Sequence, residues 1–184
     1  MSENNVTKSD WHSDASAEDF DLLIEALGAN QGQVREQARV ELINQGYQAT
    51  PPLIEAMHDP NEHRRWEAAK ALGAIGDQRA AAALVQALDD DNPGIRWVAG
   101  NDLIALGRDG LTPLLQALIE GMGSIWLREG AHHVLQSLAR EGYNELAPVV
   151  DALENIVPTI EVPVAAYHAL EAMRPDPRSG RNNV

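Results

Sequence analysis

Apolar residues along the chain fall in short blocks with the three-and-four spacing of a helix, and the blocks themselves return. Leu23-Ile24-Glu25-Ala26-Leu27 is echoed by Leu53-Ile54-Glu55-Ala56-Met57, Leu84-Val85-Gln86-Ala87-Leu88, Leu114-Leu115-Gln116-Ala117-Leu118 and Val149-Val150-Asp151-Ala152-Leu153. The successive offsets are 30, 31, 30 and 35 residues. Sustained period-two alternation of β-branched residues is missing, so the pattern predicts helices and no strands. Pro52, Pro113 and Pro148 precede three of the blocks. That places them near a helix start, where proline is tolerated.

A second helix alternates with the first. Arg35, Arg65, Arg96 and Arg128 are each followed three residues on by Ala38, Ala68, Ala99 and Ala131, and then by Leu42, Leu72, Leu103 and Leu135. Gly46, Gly76 and Gly107 close three of these copies, as a helix C-terminus favours, and Gly142 follows the fourth. A weaker fifth copy runs from Pro163 to Met173 and reads as a modified cap. One helix pair cannot bury both of its apolar stripes, whereas pairs stacked side by side share a continuous core. The expected fold is therefore all-α: an α-solenoid of about five stacked helix pairs over residues 18–173. Polar segments flank it at 1–17 and 174–184, and both are expected to be disordered tails.

The same residues resemble the HEAT repeat, in the short form named after phycobilisome lyases. Asp90-Asp91-Asn92-Pro93-Gly94-Ile95-Arg96 is similar to the loop that opens such a repeat. Ala68-Ala69-Lys70-Ala71-Leu72-Gly73-Ala74-Ile75-Gly76-Asp77 is similar to its close. The resemblance implies an α-α superhelix. It spans several roles: bilin lyase subunits, factors of phycobilisome turnover, bacterial scaffold proteins and, more distantly, DNA alkyl-base glycosylases. Repeat folds of this kind do not specify an activity.

Charge narrows the choice. Fourteen Lys and Arg stand against 28 Asp and Glu, a net charge of -14. Such a field repels polyanions, so nucleic acid is not an expected partner, and Lys8 and Lys70 are the only lysines available to a glycosylase. No apolar run approaches the ~20 residues of a membrane span. The N-terminal segment lacks a basic-then-apolar leader, so a cytoplasmic protein without membrane contact is expected. The absence of Cys excludes a disulfide framework, a thiol nucleophile and thiolate metal sites. Aromatic residues make up only 4 % of the chain, so the core must be aliphatic.

No motif points to catalysis. There is no Gly-x-Ser-x-Gly turn, no glycine-rich phosphate loop and no His-Glu-x-x-His pair. His58, Asp59, Glu62 and His63 could supply metal donors, but a solvated loop is the preferred reading. His132 and His133 are adjacent and point about 100° apart on a helix. No metal, cofactor or catalytic residue is therefore assigned. The four matched arginines read as a ladder tying loops together through the guanidinium fork. The polar residue of each block and those one turn later share a helix face, and stacking would align these faces into one ridge. The resemblance to HEAT repeats implies that this ridge lines a concave groove. That acidic ridge predicts a non-enzymatic scaffold that binds a basic or polar segment of a protein partner. The residues assigned to it are Glu55, Asp59, Gln86, Asp89, Asp90 and Gln116. Trp66 and Trp97, at matched positions away from the seam, are secondary candidates. The alternative, carried by the resemblance alone, is an accessory or subunit for bilin attachment or phycobilisome turnover.

Overall fold

Each apolar echo becomes a helix. A computed structural model describes residues 17–120, 124–155 and 158–174. Among these residues there are ten α-helices, three single 3-10 turns and no strand. The segments expected as tails lie, apart from Ala17 and Arg174, outside the described residues. The chain divides into two compact units, Met1–Ile75 and Gly76–Val184.

The first unit holds α1 (Ala17–Ala26), α2 (Gly32–Asn44), α3 (Thr50–Ala56) and α4 (Glu62–Ile75), with a 3-10 turn at Gly46–Gln48 before α3. The helices pack as a regular double row: α2 lies against α4, α1 against α3, and each pair closes across the rows as α1 on α2 and α3 on α4. Ala38, Leu42, Leu53, Ala68 and Leu72 are buried in the seam. Each fully buried Leu contributes about 1.5–3 kcal/mol, and the small Ala beside it lets the helices approach closely.

The second unit begins with a 3-10 turn, Gln78–Ala80, followed by α5 (Ala81–Ala87), α6 (Pro93–Leu106), α7 (Arg108–Glu120) and α8 (Ile125–Arg140). A 3-10 turn at Asn144–Leu146 then leads into α9 (Ala147–Glu154) and α10 (Pro158–Ala172). Here α5 packs on α7 and α6 on α8. Leu84, Leu88, Ile95, Ala99, Leu103, Leu114, Leu118, Ala131 and Leu135 form the aliphatic core that the composition requires. The matched glycines Gly46, Gly76 and Gly107 have φ of 58°, 67° and 56°. A positive φ at these helix ends is reached at little cost only when the residue lacks a Cβ.

Two expectations need correction. Pro113 does not open its helix but lies inside α7. The hydrogen bond it forgoes would have used the carbonyl of Asp109, an exposed residue in the first turn, where water can satisfy that oxygen. The last helix starts at Pro158 rather than Pro163, and it departs from the alternation. Instead of continuing the row of α6 and α8, α10 packs against α7 and α9, while α9 packs against α8. Val162, Ala166, Ala169 and Met173 are its buried face. The solenoid thus ends in a changed arrangement and not in one more copy.

Candidate interaction surface

The matched arginines build the loops. Arg35 Nη1 donates to the carbonyls of Ala29 (2.7 Å) and Asn30 (3.0 Å). Arg65 Nη1 donates to Asp59 O (2.9 Å) and Pro60 O (3.3 Å). Arg96 Nη1 donates to Asp90 O (2.7 Å) and Asp91 O (3.2 Å). In each case the guanidinium reaches the carbonyls five and six residues earlier. These carbonyls follow the end of the preceding helix, where backbone acceptors lack helical partners and a positive charge is favoured. The ladder expected from the spacing therefore exists, with backbone oxygens as its rungs. For Arg128 the corresponding carbonyls lie outside the described residues.

Two of the acidic candidates are committed to the same turns. Asp59 Oδ1 accepts from Asn61 N at 2.8 Å, and Asp90 Oδ1 accepts from Asn92 N at 2.8 Å. Asn61 and Asn92 then cap α4 and α6 through the amides of His63 (2.9 Å) and Gly94 (2.8 Å). Asp59 also pairs with Arg64 Nη1 at 2.5 Å. Burial works to raise the Asp59 carboxyl, but the Asn61 amide and the Arg64 and Arg65 guanidinium groups outweigh it and hold it below the usual carboxylate range. Asn61 Nδ2 donates to Gly28 O at 3.1 Å, and Arg64 Nη2 to Glu25 O at 3.4 Å, so this loop also clasps the end of α1. Among the described residues no three His, Asp or Glu side chains converge to hold a metal ion.

The remaining candidates are free of such duties. Glu55 on α3 is exposed, as are Gln86 on α5, Asp89 just beyond it, and Gln116 on α7. Their side chains make no hydrogen bond or ion pair with another described residue. In the second unit Gln86 and Gln116 occupy the same register on helices packed against each other, with Asp89 and Glu120 one turn further on. The row stops there. Because α10 takes the place beside α7, Asp151 and Glu154 on α9 do not extend it. Glu154 instead pairs with His132 Nε2 on α8 at 2.9 Å.

The tryptophans divide. Trp66 is half-buried, whereas Trp97 is 62 % exposed and stacks one ring face on His133 of α8, centroids 5.3 Å apart. The unmatched Trp126, at the start of α8, carries the guanidinium of Arg96 at 4.2 Å from its ring centre. Sequence reasoning took only the tryptophans at matched positions as candidates and missed this pairing. It also passed over Glu67, a buried carboxylate on α4 that pairs with Arg39 and lies 3.8 Å from both Arg35 Nε and Lys70 Nζ. Asp102 was missed as well. Burial pushes its carboxyl up to about 7, and its Oδ2 has no hydrogen-bond partner. The available signal was register: Asp102 stands where the neighbouring copies have Ala71 and Val134.

Two open clefts lie in the second unit. One of ≈ 260 Å³ is lined by Arg108, Thr112, Gln116, Leu170, Met173 and Arg174. The other, of ≈ 380 Å³, lies between α8 and α9 and is lined by Ile125, Arg128, Glu129, His132, Leu153 and Glu154. The first falls below the range for enclosed small-molecule sites, roughly 300–1,000 Å³, and the second lies near its bottom. No helix is long and apolar enough to cross a membrane among the described residues.

Paired helices in rows, with arginine-clamped loops, define the class: an α-solenoid built from repeats. Residues 20–104 match the family model of HEAT repeats. The chain is similar in fold to the complex of CpcE and CpcF of phycocyanin lyase from Nostoc sp. PCC7120, with a TM-score of 0.56 and 23 % identity, covering 86 % of this chain and 100 % of that one. No curated protein sequence matches the chain.

Proposed function

We propose that the chain is a non-enzymatic scaffold that holds a basic or polar segment of a protein partner on its exposed acidic and polar helix faces. The observation that carries this reading is the set of exposed side chains Glu55, Gln86, Asp89 and Gln116, none of which makes a hydrogen bond or ion pair with another described residue. A carboxylate that stabilises nothing internally remains available to a partner, and a chain of net charge -14 steers basic segments toward it. Asp59 and Asp90 contribute charge to the same faces, although their hydrogen bonds go first to the turns. Trp66 and Trp97 are secondary contacts.

The test begins with partners captured from the native host and identified by mass spectrometry. Binding of the captured partner is then measured by calorimetry for Glu55→Lys, Asp89→Lys and Gln116→Lys, singly and combined. These sites leave the loop-forming Asp59 and Asp90 untouched, so circular dichroism should be unchanged. Complex formation is expected to be lost in the combined variant, and unchanged affinity would refute the reading.

The likeness in fold to phycocyanin lyase favours a second reading, an accessory role in bilin attachment or in phycobilisome turnover. Incubating the chain with a free bilin separates the two. A scaffold leaves the bilin spectrum as it is in buffer, whereas a red-shifted absorbance band would favour the second reading.

A further inference from the structure

The face formed by α6 and α8 carries a different kind of recognition from the acidic row. Trp97, Ile125 and Trp126 are 62 %, 52 % and 46 % exposed there. Large aromatic surface left in water is a feature of interfaces more than of free surfaces. The two indoles are treated differently by the fold. Trp126 already has a cation over its ring, the Arg96 guanidinium. Trp97 has His133 against one face, and no guanidinium or ammonium of a described residue is seated over its ring.

Helix geometry places a carboxylate between them. Trp126, Glu129 and His133 follow each other at three- and four-residue spacing, so they lie along one side of α8 within about 10 Å. Glu129 is exposed, and its side chain pairs with no other described residue. It also borders the ≈ 380 Å³ cleft, whose wall includes the exposed Ile125 and the Leu153 of α9. The exposed indole of Trp97, the Glu129 carboxylate near it and the cleft, whose lining mixes Ile125 and Leu153 with Arg128, His132 and Glu154, form one continuous strip.

We infer that this strip docks a basic segment of a partner protein, with one lysine or arginine side chain laid on the exposed indole of Trp97 and its charge directed at Glu129. The chemistry follows from complementarity. An indole face attracts a cation, a neighbouring anion strengthens the attraction, and a surface of net charge -14 disfavours an acidic occupant or a second copy of this chain. An aliphatic residue next to the cation would lie along Ile125 toward the α8–α9 cleft. The inference rests on the scaffold reading of the chain and not on the acidic row.

The experiment follows the indole N–H resonances of the full chain by NMR during titration with tetralysine, with tetraglutamine as the uncharged control. The Trp97 resonance is expected to shift saturably with tetralysine, at a concentration at least fivefold lower than with tetraglutamine. Glu129→Gln, a solvent-exposed change that spares the fold, should weaken that response severalfold, and Trp97→Leu should delete it. A Trp97 signal that stays still while other indoles move, or equal titration of wild type and Glu129→Gln, overturns the inference. Asp89→Asn with Gln116→Ala provides the separation. Persistence of the Trp97 response in that variant supports an independent strip, and its loss would mean that the binding belongs to the acidic row. The acidic-row reading in turn stands or falls on the partner calorimetry, whatever Trp97 does.

Discussion

Glu67 on α4 forms an ion pair with Arg39 on α2, and its carboxylate is only 8 % exposed. Arg35 and Lys70 stand 3.8 Å away, so the anion is surrounded by cations at a helix–helix seam. A buried charge is tolerated only when it is paired, and removing one member leaves the others uncompensated. Glu67→Ala should destabilise the protein by about 2–4 kcal/mol in urea unfolding. Replacing both partners by Met should recover much of that loss, because two apolar side chains leave less charge stranded. If the double variant is no better than the single one, the cluster is not held together by charge.

The arginine clamps predict a loss that lysine cannot fully restore. Arg65 joins two successive carbonyls through one nitrogen of a rigid fork. Arg65→Ala should lower stability by about 1–2 kcal/mol, and Arg65→Lys should regain only part of it. The midpoints of chemical denaturation check both.

Asp102 predicts a pH dependence of definite sign. In the folded chain, burial raises its carboxyl from the ordinary 3.8 to about 7. Between these values the folded chain binds more protons than the unfolded one, so stability falls as pH rises. The loss begins above pH ~4, is complete above pH ~7, and amounts to roughly 1–2 kcal/mol once partial solvent screening is allowed for. Asp102→Ala, which copies the register partner Ala71, should flatten this slope and stabilise the chain at pH 8. Thermal melts at pH 5 and pH 8 measure the difference.

Glycines in helices should respond to alanine according to space. A Cβ on Gly130 would come within 2.9 Å of Leu88 Cδ2 and 3.2 Å of Leu88 Cβ, and Leu88 is fully buried. Gly130→Ala should cost about 1–3 kcal/mol despite its better helix propensity. At Gly32, the first residue of α2, the nearest side-chain atom would be Arg35 Nη2 at 3.6 Å. Gly32→Ala should stabilise by about 0.4–1 kcal/mol. Differential scanning calorimetry of the two variants should therefore move in opposite directions.

What could be read from the chain was whatever repeats. The Ala38, Ala68, Ala99 and Ala131 series is buried as a set because the paired helix rows within each unit impose the same environment on every copy. The arginine series works alike because each loop presents the same carbonyls. What could not be read was whatever occurs once. Glu67 has Gln37, Val98 and Gly130 as its register partners, so no periodic signal marks it as buried. The choice of α7 by α10 depends on how Val162, Ala166 and Ala169 fit a neighbour distant in sequence. The residues proposed for binding were identifiable as polar and exposed. That Asp59 and Asp90 would be drawn into their own turns depends on Asn61 and Asn92 two residues later, a local competition that charge counting ignores.

The changed seat of α10 limits how the second unit could be lengthened. A further consensus module appended after Met173 would meet the wrong neighbour, since the helix it should follow has left its line. Extra modules inserted between α6 and α7 would keep both lines in step, so growth of this architecture, by design or by duplication, is directed to the interior.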